Sequence, residues 1–472
     1  MKDLTNGKPL KLIAAFALPI LLGNLFQQVY SLTDTIIIGK KLGNEAIAAV
    51  GSTASVVSLM FSIINGLVTG FAIIVSKNFG AGRHDEMRRT IARMLTFSAI
   101  TTAVIICATT IFIEPLLTAL STPAGIFEQA REYLFVVALG LVVTLLYNFE
   151  AAILRAVGDS VVPLVILIIS TALNIVLDLL FVCVFNAGVL GAAVATVAAQ
   201  LISAVVCLVY LVKKRPFLLV KKSDFKFTKE TTAELLSAGF GMALMYSIVD
   251  MGSIVLQNGI NGFGEDIITA HTAARKIFSL LIMPFSSISA ALVTYCSQNR
   301  GAGKYSRIKT GIRDGLLIAF AWAAATVALV FFAGNFLVGM LVSSDEANSA
   351  DIIATAVLYL KWSVPFYFAL AALLALRASL QGLGRSAVPI MCSIIELSWK
   401  IVTVLVIIPL FGGNNGTVGN SIEKISGYFG VIISEPIIWT ACAFLIIIIA
   451  VITFHRLPKE DEPYGEQSIK ES

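Results

Sequence analysis

The chain has 472 residues, of which 57% are hydrophobic and 13% charged, a composition too apolar for a soluble globular domain. Six single cysteines without a CxxC pair, and three distant histidines, argue against a disulfide framework or a zinc cage. The net charge of +5 sits in short loops between apolar runs, which marks membrane topology and gives no surface for nucleic acid.

Met1 to Lys11 is short and polar and leads into a long apolar run without a small-residue cleavage site, so the first helix is expected to stay in the protein. Glycine, proline and charge then divide the amino half into spans near 10–39, 46–76, 90–113, 130–155, 163–185 and 188–212. Each is long enough to cross roughly 30 Å of hydrocarbon as a helix. A second set follows near 234–262, 267–298, 311–333, 352–380, 387–410 and 427–454. The expectation is an all-α membrane protein of about twelve spans: an amino lobe over 1–212, a basic linker over 213–230, a carboxy lobe over 231–456 and an acidic tail over 457–472.

Lysine and arginine gather at the amino terminus, around Arg83 to Arg93, in Lys213 to Lys229, in Arg300 to Arg313, and at Arg377 and Arg385. These positions read as even-numbered loops, so the positive-inside rule puts both termini and the linker in the cytoplasm.

The two halves repeat the same signatures in the same order. Asn78-Phe79-Gly80-Ala81-Gly82 matches Asn299-Arg300-Gly301-Ala302-Gly303. Gly158-Asp159-Ser160-Val161-Val162-Pro163 matches Gly384-Arg385-Ser386-Ala387-Val388-Pro389, and Gly188-x-x-Gly191 matches Gly427-x-x-Gly430. An even number of spans per half makes the repeats parallel, as in transporters whose lobes rock about a central cavity.

These paired signatures, with Leu18-Pro19-Ile20, Asp34-Thr35-Ile36-Ile37-Ile38-Gly39, Leu154-Arg155-Ala156-Val157 and Gly188-Val189-Leu190-Gly191-Ala192-Ala193, resemble the multidrug and toxic compound extrusion (MATE) family over nearly the whole chain. The resemblance implies a twelve-helix, V-shaped carrier in the inner membrane that exports organic, often cationic, compounds in exchange for protons or sodium. Asn174-x-x-x-Asp178 together with Asp34 resembles the branch of DNA-damage-inducible F-type proteins. The carrier is expected to work as a monomer with no cofactor beyond its coupling ion.

The intramembrane polar residues lead to the same place, because an ionisable side chain in hydrocarbon persists where it works or is paired. Counting about 1.5 Å per residue, Asp34 falls roughly 9 Å below the outer end of span 1 and Asp178 roughly 12 Å below that of span 5. Asn174 lies one turn deeper on the same face as Asp178, and Thr196 in span 6 reaches a similar depth. Two carboxylates in one desolvated pocket cannot both stay ionised cheaply, so the pocket takes up a proton or recruits a cation. By resemblance, these four match the family's amino-lobe cation site.

Overlaying the halves puts Lys400 opposite Asn174 and Glu435 opposite Thr196. An opposite-charge pair of Lys400 with Glu435 is therefore expected, with the ammonium standing where the amino lobe binds its cation. Glu396 is one turn from Lys400, and Asp250, Arg275, Lys276 and Lys361 are further intramembrane charges. Asp250 or Glu396 facing the cavity would attract a cation, and Glu150 is placed to pair with Arg155. Pro19 is the candidate hinge of span 1, and Phe26, Tyr30, Tyr147, Tyr246 and Phe285 are candidate cavity aromatics.

Two rival readings are weaker. A lipid-linked oligosaccharide flippase of the same superfamily would favour a strongly cationic cavity, whereas the amino lobe presents acids. An embedded prenyl-transfer enzyme would need paired Asp-rich motifs, and only Asn174-x-x-x-Asp178 is found. No P-loop is present, so coupling to an ion gradient is expected rather than ATP hydrolysis.

Overall fold

A computed structural model describes residues 3–342 and 348–458. Twelve of its helices are long and apolar enough to cross a membrane. They are α1 (Pro9–Leu42), α2 (Asn44–Gly80), α3 (His84–Ile111), α4 (Ala124–Ala156), α5 (Val161–Val184) and α6 (Gly188–Lys214) in the amino lobe. The carboxy lobe holds α7 (Lys229–Ile260), α8 (Glu265–Gly301), α9 (Tyr305–Gly339), α10 (Ser349–Gly382), α11 (Ala387–Leu410) and α12 (Ile422–His455). The acidic tail expected over 457–472 lies outside the described residues from 459 onward.

The repeated glycine signatures are helix terminators. Gly82 and Gly303 have φ of 69° and 68°, and Gly158 and Gly384 have φ of 84° and 78°, values that favour a residue without Cβ. Each closes the same backbone cap, in which Arg83 N donates to Asn78 O, Lys304 N to Asn299 O, Asp159 N to Leu154 O and Arg385 N to Leu380 O. That is the six-to-one bond of a Schellman motif. The paired signatures therefore end α2, α8, α4 and α10 in the same way.

Three features were not anticipated. A short helix, Ile113–Ala119, follows α3. Pro365 accompanies a 3-10 turn that interrupts α10 at Val364–Phe366. Both α5 and α11 carry a widened π turn, at Leu179–Val184 and Thr403–Ile407 respectively.

The lobes meet through α1, α2, α7 and α8. Small residues set the approach of α2 to α7: a Cβ on Gly70 would stand 2.2 Å from the Ala238 carbonyl oxygen, and one on Gly66 2.6 Å from Ala243 Cα. At the end bearing both termini, Ser297 Oγ donates to Ile73 O at 2.5 Å, Ser76 Oγ to Thr294 O at 3.3 Å and Gln298 Nε2 to Ala156 O at 2.8 Å. Leu4 N donates to Gln298 Oε1, so the amino-terminal segment caps this seam. Among the described residues, the cross-lobe hydrogen bonds nearest the opposite end are those of Ser58 and Ser62 with Asp250 and of Asn24 with Ser287. The lobes are thus sealed at the end of the termini.

Helix α1 belongs to both lobes. Ile13, Phe16 and Ala17 are buried in the carboxy-lobe core, whereas Ile38 packs with Val182, Val189 and Ala192 of the amino lobe. Pro19 lies at the start of the crossing between them, inside a continuous helix.

Candidate functional site

Inside the amino lobe, α1 packs on α5 and α6 and brings the predicted polar residues together. Asp178 is fully buried and Asn174 is 2% exposed. Both carboxylate oxygens of Asp178, both amide heteroatoms of Asn174 and Oδ1 of Asp34 are buried without a hydrogen-bond partner among the described residues. The Asp34 and Asp178 carboxylates lie within electrostatic reach of one another. Thr196 Oγ1 and the Tyr30 hydroxyl are 3.1 Å apart. Asn174, Thr196 and Tyr30 also line a cavity of about 100 Å³.

Such a set is incomplete as it stands, because a buried carboxylate with no donor is strongly disfavoured. A proton on one carboxylate would supply the missing donor; a hard monovalent cation would be met by carboxylate, amide and hydroxyl oxygens. The residues present fit either. The π turn begins immediately after Asp178, and widened turns of this kind recur at functional positions.

The carboxy lobe is wired differently from the expectation. Arg275 Nη1 donates to both carboxylate oxygens of Glu435 at 3.0 Å, and the Tyr359 hydroxyl donates to Oε2 at 2.5 Å. Lys400 instead pairs with Glu396 one turn away at 3.3 Å. The expected Lys400–Glu435 ion pair is therefore replaced: Nη1 of a guanidinium from α8 reaches both oxygens of Glu435 while Tyr359 adds a second donor, and Lys400 has a carboxylate on its own helix. Lys400 remains within electrostatic reach of Glu435 and packs against Gly252 of α7. His271 Nδ1 and the Tyr428 hydroxyl, 3.0 Å apart, extend the same network.

Between the lobes lies a cavity of about 400 Å³ walled by α2, α4, α7, α8 and α10. Arg155, Arg377, Tyr246 and Asp250 face it. The Asp250 carboxylate accepts from Ser62 at 2.5 Å and Ser58 at 3.2 Å. Two expectations fail here. Glu150 forms no ion pair with Arg155 among the described residues; its Oε2 has no hydrogen-bond partner, and its neighbour is the Cys207 thiol. Arg377, read as a loop residue, sits inside α10, where its guanidinium donates to Ser393. Of the candidate aromatics, Tyr246 lines this cavity, while Tyr30 and Tyr147 line the amino-lobe one. Phe285 packs edge-on against Tyr367, and Phe26 lies on an exposed part of α1.

The MatE family model matches residues 19–180 and 240–406, a long segment of each lobe and more than half the chain. The chain belongs to the MATE family. It is 27% identical to the probable multidrug resistance protein YpnP of Bacillus subtilis, over 77% of this chain and 80% of that one. A protein of Shewanella oneidensis called an FAD transporter is 25% identical over 68% of this chain and 72% of its own. A solved structure described as the outward-facing conformation of a multidrug resistance MATE family transporter superposes with a TM-score of 0.86. It is 22% identical and covers 98% of this chain and 99% of that one.

Two parts of this MATE chain's polar interior went unread in the sequence. Tyr133 of α4 is within electrostatic reach of both Asp34 and Asp178, yet a lone tyrosine near the start of a span carries no signal of that role. Arg377 was legible as a charge, but its distance from Gly384 fits a loop as readily as a helix end.

Proposed function

We propose that this MATE-family chain is a secondary active exporter that carries small organic molecules across the cell membrane in exchange for protons or sodium ions. The observation that carries the reading is the set of partnerless buried oxygens on Asp34, Asn174 and Asp178. A site that needs a cation or proton, inside the lobe that supplies α2 and α4 to the wall of the central cavity, can bias which way that cavity opens. Loading need only change the stability of one arrangement by a few kcal/mol, since a ligand shifts a population by its difference in affinity. Helix α1 would transmit the change, with Pro19 as the hinge between its two packing environments.

In the proposed orientation the sealed end faces the cytoplasm, together with both termini and the basic linker. The cavity then opens outward. A cysteine at Asn44 should react with an impermeant maleimide on intact cells, and one at Lys222 only after permeabilisation. The opposite labelling pattern would reverse the orientation. Because the two lobes of one chain already enclose the cavity, the proposed working unit is a monomer. Transport itself is tested by imposing proton and sodium gradients separately on proteoliposomes; uptake driven by neither would overturn the exchange reading.

A further inference from the structure

The central cavity is electrostatically unlike the amino-lobe pocket. Arg155 enters it from α4 and Arg377 from α10, one guanidinium from each lobe. They are not equivalents in the repeat: with Gly158 placed on Gly384, Arg155 falls on Gln381 and Arg377 on Ala151. The Arg155 guanidinium has no hydrogen bond or ion pair among the described residues, and Arg377, whose Nη2 donates to Ser393, keeps a buried Nε without a partner. Tyr246 is within electrostatic reach of both, so the two guanidiniums flank one phenol. Ser289, on the same wall, also has a buried hydroxyl without a partner.

Asp250 is the only carboxylate among the described lining residues, and it already accepts two serine hydroxyls. It stands one helical turn from Tyr246, roughly 6 Å along α7. An arginine stays charged at every physiological pH, so the floor of the cavity is permanently positive. A cationic group brought there would meet like charge between low-dielectric walls. An anionic group would meet the Arg155 guanidinium and the Arg377 donors that Ser393 does not occupy, in the planar arrangement that suits carboxylate and phosphate. Met242, Met245, Leu374 and Val293 provide an apolar wall beside them.

From this geometry we infer that the cavity takes organic molecules carrying a carboxylate- or phosphate-type anionic group, held between Arg155 and Arg377 with the apolar body against α7, α8 and α10. The inference deepens the exporter reading and rests on it for what happens after binding. The anion could belong to a soluble molecule or to a lipid headgroup.

The test is equilibrium binding to the full-length protein in phosphatidylcholine nanodiscs, without any gradient. The probes are carboxyfluorescein and 4-methylumbelliferyl phosphate as anions and ethidium as a cation. At least one anionic probe should bind the parent and weaken about tenfold or more in Arg155→Gln and in Arg377→Gln. Arg155→Lys should recover part of the loss, which a general folding defect would not allow. Ethidium affinity should hold or rise in the glutamine variants. Repeating the titration with phosphatidylglycerol in the disc separates the sources: competition by that lipid assigns the site to headgroups, and its absence to soluble anions. Ethidium binding more tightly than both anions, or anion affinities unchanged in both glutamine variants, would overturn the inference. Failure of gradient-driven exchange would leave this result standing, because no gradient enters it.

Discussion

Arg275 and Glu435 illustrate how a charge is kept inside a lobe. The carboxylate is buried, and a guanidinium and a phenol both donate to it. Removing one partner of such a buried pair leaves the other uncompensated, at a cost of about 3 kcal/mol. Arg275→Ala should therefore lower the unfolding temperature in detergent measurably more than Lys400→Ala does. Lys400 answers to Glu396, which is less completely buried. A larger loss in Lys400→Ala would restore lysine as the principal counter-ion. The overlay of the halves brings Lys400 and Glu435 to neighbouring positions, and the two lie within electrostatic reach of one another. The overlay could not give the direction each side chain takes around its helix, or that a third charge from α8 reaches the same point. The same limit explains Arg155 and Glu150, close in sequence and unpaired in space.

At the scale of elements, the glycine signatures were readable as a repeat, and the structure supplies their reason in the positive φ of four helix caps. The π turns in α5 and α11 left no mark in residue type, since each occupies an ordinary apolar run. Gly301 on α8 has a further role that a repeat alone does not reveal. A Cβ there would stand 1.9 Å from the Lys77 carbonyl oxygen of α2, a backbone atom that moves only if the helices part. Gly301→Val should therefore weaken the seal and shift the population toward the arrangement open at the terminal end. Spin labels at Asp85 and Lys309, both exposed, would report this as a longer distance distribution. An unchanged distribution in the variant would place the control of that seal elsewhere.

For the whole molecule, composition and span count made the twelve-helix architecture legible, and the paired signatures carry the resemblance to the family to which the chain belongs. Polarity of the central cavity was not legible, because it depends on which face of α4 and α10 each arginine occupies. The molecule thus separates two kinds of charge: a carboxylate pocket enclosed in one lobe and a cavity between lobes with guanidiniums at its floor. In the proposed cycle the first takes the coupling ion and the second the cargo, joined by α1. The most direct test uses proteoliposomes containing the parent, Asp34→Asn or Asp178→Asn, with a proton or sodium gradient imposed alone and efflux of carboxyfluorescein and ethidium recorded. The parent should move dye under one of the gradients. Both variants should insert normally, and each should lose at least about tenfold of the gradient-driven rate, as expected when an ionisable group that carries the coupling is removed. Parental rates under the driving gradient in either variant would contradict the assignment of that pocket to coupling.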